Sequence, residues 1–407
     1  MNVNNFFQKR FQRTVNSIAF YPAIIALGFL VLCGIMITLD YSQWGKLIKS
    51  QLHWLRLKDP STARSIIGSI ASGIISLTVF SFSMVMIVLN QAASQMSNRV
   101  LGQLIGNRFQ QVVLGVYIGT IIYAFFLLST IRDIDSGIYI PALSTYLLIF
   151  FTILDIFLFI YFLHYITQSV KYEVVIQRIF NDTMNSLKNA CPRQQPLPVL
   201  PALNMPYIIK SVKAGIFEGV NQEALSSICD QEGFQILVLV ERGTFILAGS
   251  PVMAVSKPLT EALQDQVIDA AIISLSQTIQ KNFFYGFSQL REIALKALSP
   301  GINDPGTAII SLHALSSLIM YRASHFPENI QRNKQGAVWM VTPEMSFEKI
   351  VSESINPIWD YGKTDRLICK ELHVLCLQLH ALTSNPVFEP LIEQITTAQL
   401  AFSPSAK

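Results

Sequence analysis

Asp155 is a carboxylate in a place where carboxylates are costly. It lies near the middle of an apolar run, among Phe150, Phe151, Leu154, Ile156 and Phe157. At bilayer depth an ionised acid costs roughly 3 kcal/mol unless it is solvated, hydrogen-bonded or protonated. No Lys or Arg lies inside any apolar run to pair with it. The expected partners are therefore hydroxyls at similar depth: Ser76 or Thr78 on one run, or Tyr123 on the next. Two states are open: a neutral, hydrogen-bonded acid in a structural role, or an ion facing a wet cavity in a transport role.

A second pattern involves hydroxyls. Ser65, Ser69, Ser72, Ser76 and Ser83 fall at helical steps and form one stripe along a helix. Gly68 and Gly73 flank it. Small residues let helices approach closely in lipid, and hydroxyls bond across such contacts, so helix packing is one reading. A polar pore lining is the other.

A third constellation lies in the polar half of the chain. Ser299, Pro300, Gly301, Ile302, Asn303, Asp304 and Pro305 join two apolar helical patterns. Pro300-Gly301 stops the first helix, while Asp304 caps the second with Pro305 in its first turn. His313, farther along that helix, reads as a core histidine, and His164 as interfacial. The chain has no phosphate loop, HExxH, GxSxG or dinucleotide fingerprint, so neither an enzyme nor a cofactor is expected. The five cysteines (33, 191, 229, 369 and 376) form no CxxC and no metal set. Cys369, Leu372 and Cys376 share one helix face, as buried small residues do. An odd number of unpaired thiols favours a reducing compartment.

The elements that position these groups are membrane spans. The chain has 407 residues, 51% hydrophobic and only 14% charged, and the apolar excess falls almost wholly within residues 20–165. Residues 66–89 carry no charge. A helix of that length reaches roughly 36 Å, against about 30 Å of hydrocarbon. Three more runs, residues 20–39, 112–131 and 140–166, complete four spans. Lys9, Arg10 and Arg13 precede the first, but no small-residue cleavage site follows it, so the span is expected to be retained. Residues 40–64 interleave basic residues with Trp44 and Trp54, as a segment at the membrane surface would. Basic residues are nearly balanced between the two sides. Both termini are placed in the cytoplasm because of the free thiols and the lack of any secretory signature. The net charge of +4 is scattered and gives no nucleic-acid footprint. The expected partners are the lipid bilayer and further copies of the chain.

Residues 171–190 continue helically. A proline-rich stretch from Cys191 to Pro206 then reads as an extended linker. Short β-type runs follow at 235–241, 244–248 and 252–255, with a later one at 271–276. Helical patterns occupy 259–270, 287–298, 306–322, 346–360, 364–382 and 387–401. The expected fold is an α-helical integral membrane protein of four transmembrane helices with a soluble C-terminal α+β tail. Its divisions are a membrane domain (1–170), a helical extension and linker (171–210), a β-unit (211–257) and a mainly helical domain (258–407).

Three stretches are similar to a bacterial family of predicted membrane proteins, domain of unknown function 2254. They are residues 79–120 (VFSFSM to VYIGT), residues 214–252 (AGIFEGVNQEAL to AGSPV) and residues 289–308 (QLREIALKALSPGINDPGTA). The string from Ala297 to Pro305 is the most specific of them. The resemblance implies a four-helix unit in the bacterial plasma (inner) membrane followed by a cytoplasmic tail, with no activity attached. This chain departs from the family where an Arg-Thr and a Gln-Asp pair precede the third stretch; Gln277-TIQKNFFYGFSQL stands there instead. Arg242-GTFILAGSPV also resembles part of a biotinyl-like hammerhead, but no attachment lysine is present. Two functions are therefore expected to compete. One is an oligomeric channel or transporter for ions or small polar solutes, and the other a membrane-anchored regulatory or scaffold protein.

Overall fold

The computed structural model describes residues 19–45, 59–95, 108–131, 140–169, 171–196 and 204–402. The basic N-terminal start, most of the surface segment at 40–64, the loop around Met96–Leu104, the turn at 132–137 and the middle of the proline-rich stretch lie outside the described residues. The chain divides into two compact units, Met1–Lys171 and Tyr172–Lys407.

The first unit consists of α1 (Phe20–Tyr41), α2 (Pro60–Gln95), α3 (Arg108–Thr130) and α4 (Ala142–Ser169). All four are long and apolar enough to cross a membrane. The starts of α2 and α4 are set by polar side chains. Asp59 starts α2, accepting from the backbone N–H groups of Ser61 and Thr62 (3.1 Å each) and from both hydroxyls (2.6 Å each). Those bonds hold its carboxyl well below the usual carboxylate range, the Ser61 hydroxyl contributing most. The start of α4 is capped from another helix. Asp40, buried at the end of α1, accepts from Leu143 N–H (3.1 Å), Ser144 N–H (2.8 Å) and the Ser144 hydroxyl (2.6 Å).

Helices α1 and α3 pack most tightly. A Cβ on Gly115 would lie 2.8 Å from Ile25 Cδ1, and one on Gly119 would lie 2.6 Å from Phe29 Cδ2. Only glycine permits this approach, and the two are four residues apart, as in small-xxx-small contacts. Among the described residues the packing read at Gly68 and Gly73 is not found, because a Cβ at either meets nothing within 4 Å. Around Gly115 and Gly119 the core is filled by Cys33, Ile67, Ala71, Tyr123, Leu127 and Leu148.

The second unit is α+β. Helix α5 (Tyr172–Ala190) leads to β1 (Tyr207–Lys210), β2 (Gly215–Val220), α6 (Gln222–Glu232), β3 (Ile236–Val238), β4 (Phe245–Ile246) and β5 (Pro251–Val255). Then come α7 (Glu261–Asp269), β6 (Ala271–Ser274), α8 (Phe283–Ala297), α9 (Pro305–Ser324), β7 (Ile330–Arg332), β8 (Val338–Val341), α10 (Phe347–Gly362), α11 (Arg366–Thr383) and α12 (Glu389–Phe402). A five-stranded sheet has the order β1-β5-β3-β8-β7, and a three-stranded sheet the order β4-β2-β6. The pairs are antiparallel except β3 with β8, where Ile236 faces Met340 and Leu237 faces Val341. This topology lends the biotinyl-like reading no support, since the strands of 211–257 share their sheets with β6, β7 and β8. Phe217, Leu225, Ile236, Met253, Val267 and Met340 fill the core beside the sheets.

The start of the proline-rich stretch is held rather than free. Cys191 is buried, and Arg193 and Phe326 exchange backbone hydrogen bonds (3.3 and 2.7 Å). Helix α9 packs against α5, α8 and α11. On α5, Thr183 stands against Gly286 of α8 and leaves no room there for a side chain.

Candidate functional site

Asp155 is wholly buried within the first unit, at 0% exposure. Leu148, Asp155 and Phe162 recur every seven residues along α4, and all three face inward. Thr120 and Tyr117 face Asp155 from α3. Thr120 lies within hydrogen-bonding reach of Asp155, but its hydroxyl is also placed to donate to the Val116 carbonyl (3.1 Å), and neither Asp155 oxygen has a well-formed hydrogen bond among the described residues. Tyr117 is also fully buried, and its hydroxyl faces the Ser81 hydroxyl of α2 within hydrogen-bonding reach, though neither has a well-formed bond among the described residues. A buried polar group left unpaired costs about 1–3 kcal/mol. Four oxygens with incomplete hydrogen bonding thus gather at mid-span.

A cavity of about 240 Å³ adjoins them, lined by Ser81, Val85, Leu89, Gln111, Tyr117 and Phe162 among others. It runs from mid-span at Ser81 and Tyr117 toward the end of α2 and the start of α3. Tyr117 both lines this cavity and faces Asp155.

The hydroxyl stripe lies elsewhere. Ser65, Ser69, Ser72, Ser76 and Ser83 are all exposed on the outer face of α2. Ser76 and Ser83 donate back to their own helix, to the Ser72 (3.0 Å) and Val79 (2.9 Å) carbonyls. The structure does not bring the stripe to Asp155. The partners expected for Asp155 need correction on the same ground. Ser76 points away, Thr78 donates to the Ile74 carbonyl (2.6 Å), and Tyr123 donates to the Ser144 carbonyl (3.3 Å). What turns α2 is its other stripe, Ala63, Ile67, Ala71 and Ile74, which is buried. The seven-residue step Ile67, Ile74, Ser81 was the signal that marks Ser81 as inward.

In the second unit the expected turn is present. Asp304 accepts from Thr307 N–H (3.2 Å) and the Thr307 hydroxyl (2.6 Å), and Pro305 occupies the first turn of α9. Asn303 takes a left-handed φ of 50°, and Asn303 N–H bonds the Ser299 carbonyl (2.9 Å). The Ser299 hydroxyl bonds the Lys296 carbonyl (2.6 Å), and Pro300 and Gly301 are exposed between the helices. Every polar group in this turn that the hydrogen bonds account for is tied to the backbone or to Thr307. His313 is a correction: it is exposed and pairs with Glu371 of α11 at 2.7 Å. The five thiols are free and buried. Burial pushes Cys229 and Cys376 up to about 12, the character of inert core thiols.

Among known proteins, similar chains include an uncharacterized protein of Mycobacterium bovis and one of Mycobacterium tuberculosis. Each is 24% identical over 357 residues, covering 84% of this chain and 67% of the relative. No solved structure matches the chain. The family described as predicted membrane protein, DUF2254, matches residues 15–377, and the chain belongs to that family.

Proposed function

We propose that this protein is an oligomeric channel or transporter for ions or small polar solutes, with Asp155 as its intramembrane polar site. The observation that carries the reading is a fully buried mid-span carboxylate with no basic partner and no well-formed hydrogen bond among the described residues, only the Thr120 hydroxyl lying within reach. A cation, a proton or a polar solute is what such a donor set would complete, and intramembrane acids commonly serve ion and proton paths. The adjoining cavity, lined mainly by apolar side chains, reaches Tyr117, which faces Asp155. The protein sits in the bacterial inner membrane with its tail in the cytoplasm, where the tail regulates the spans. Copies associate through the outer face of α2, whose hydroxyls and open Gly68 and Gly73 suit close helix contact.

Flux through the purified protein in liposomes tests this. Transport predicts flux for at least one member of a panel of protons, monovalent cations and small polar solutes, with altered selectivity or pH dependence in Asp155→Asn. Well-folded protein that is silent across the panel, while its tail recovers partners, would favour the second reading. In that reading the spans only anchor a regulatory or scaffold tail. Support for it comes from the tail's own sheets and core.

A further inference from the structure

The second unit holds a polar pocket of about 330 Å³, within the usual size of small-molecule sites. Its walls come from the end of α5, the β3–β4 turn, the start of α8 and the segment between β8 and α10.

The β3–β4 turn fixes Arg242. Thr244 N–H closes it on the Glu241 carbonyl (3.2 Å), and Gly243 N–H bonds the Phe217 carbonyl (2.7 Å). Gly243 has a φ of +89°, and a Cβ there would lie 2.5 Å from Asn282 Nδ2, so glycine is required. Gln277 Nε2 donates to the Gly243 carbonyl (3.2 Å), and Asn282 Nδ2 donates to Gln277 Oε1 (3.2 Å). Asn282 in turn caps α8 through Phe284 N–H (3.1 Å). The Arg242 side chain passes over Gly219, where a Cβ would stand 3.5 Å from Nε. Among the described residues its guanidinium makes one long hydrogen bond, Nη1 to the Lys281 carbonyl at 3.5 Å.

The other charges in the pocket are mostly spoken for. Lys281 pairs with the buried Glu218 (2.6 Å), Glu241 with Lys349 (2.6 Å), and Glu328 with Arg193 (3.6 Å). Glu344 differs: among the described residues it has neither an ion pair nor a hydrogen bond, although Arg242 and Arg322 are close enough to act on it. The pocket thus presents one unpaired carboxylate and one weakly engaged guanidinium, with carboxamides of Asn189, Gln222, Gln280 and Gln331 around them.

That charge pattern selects among ligands. Three carboxylates and two cations line the walls, which disfavours a phosphate or other multiply charged anion. A bare cation would meet Arg242. A molecule carrying one charge of each sign satisfies both groups. A guanidinium takes a carboxylate through two parallel bonds, and a carboxylate takes an ammonium. We infer that this pocket binds a small zwitterion of the amino-acid class, its carboxylate on Arg242 and its ammonium on Glu344. The assignment goes beyond the transport reading and stands without it.

The test uses the full-length protein in detergent, titrated calorimetrically with glycine, L-alanine, L-glutamine and L-arginine. Propionate and ethylamine serve as the half-molecules of alanine. At least one amino acid should saturate with a dissociation constant below about 10 mM and raise the melting temperature. Each half-molecule should bind at least tenfold more weakly. Arg242→Gln and Glu344→Gln should each weaken binding at least tenfold. If either charge variant misfolds, Gln222→Leu, at the rim, should block binding with an unchanged melting temperature. The assignment is overturned by the absence of saturation across the four amino acids. It is overturned equally by half-molecules that bind as well as alanine, or by folded charge variants that bind unchanged.

Discussion

Asp40, at the end of α1, holds Ser144, at the start of α4, by both its backbone N–H (2.8 Å) and its hydroxyl (2.6 Å). A carboxylate at a helix N-terminus satisfies free N–H groups and opposes the positive end of the helix dipole. Here that anion is lent by a helix about a hundred residues earlier, so the cap also fastens two spans together.

Asp40→Ala should therefore destabilise the membrane unit by about 1–2 kcal/mol. Ser144→Ala, which keeps the N–H bonds, should cost less. Thermal melts in detergent rank the two; equal losses would mean that the hydroxyl alone makes the contact.

Gly119→Leu should be severe, since Phe29 already occupies the space a side chain would need. Overpacking of this kind costs about 1–3 kcal/mol or more. Gly73→Leu should leave the melting temperature of the single chain intact yet reduce oligomer size, because its surroundings are open within the chain. Light scattering and melts on both variants separate the two contacts. A Gly73→Leu variant of unchanged oligomer size would remove the outer face of α2 from any assembly.

The spans were legible because their signal is local: a run of apolar residues long enough to cross. The turn around Asp304 was legible for the same reason, since proline, glycine and a capping acid act on their neighbours. Ser81 and Thr120 were not, because the rotation of a helix about its axis depends on what it packs against. Periodicity placed the five-serine stripe on one face correctly and could not tell which face was outside. His313 was misread for a related cause: its face of α9 is apolar in pattern, but Glu371 approaches it from α11. The short strands β1, β2, β7 and β8 give little local signal and owe their existence to distant partners.

Topology makes a labelling prediction. Gln43→Cys, exposed at the end of α1, should react with an impermeant thiol reagent applied to intact cells, while Lys334→Cys in the β7–β8 turn should react only after permeabilisation. The five native thiols are buried and should give little background. The reverse pattern would put the tail outside.

Glu344 carries a pH dependence of definite sign. Burial raises its pKa from the ordinary 4.5, with Arg242 and Arg322 pulling it down and Glu241 pushing it up. Below 4.5 the group is protonated whether the chain is folded or not, and contributes nothing to stability. As pH rises through its folded value, ionisation penalises the folded state. Glu344→Gln should therefore melt like the wild type at about pH 4 and higher than it at about pH 8. An equal difference at both pH values would show that Glu344 does not ionise against burial.

The parallel pairing of β3 with β8 has a consequence for birth on the ribosome. Ile236 leaves the ribosome long before Met340, and at about 5–20 residues per second the gap is roughly 5–20 s. Once β5 has followed and paired with it, β3 has a neighbour on one side and an open edge on the other, and an open edge recruits stray strands. A tail truncated before residue 338 would keep that edge for good, so nonsense products of this length are the ones a cell's chaperones and proteases must clear.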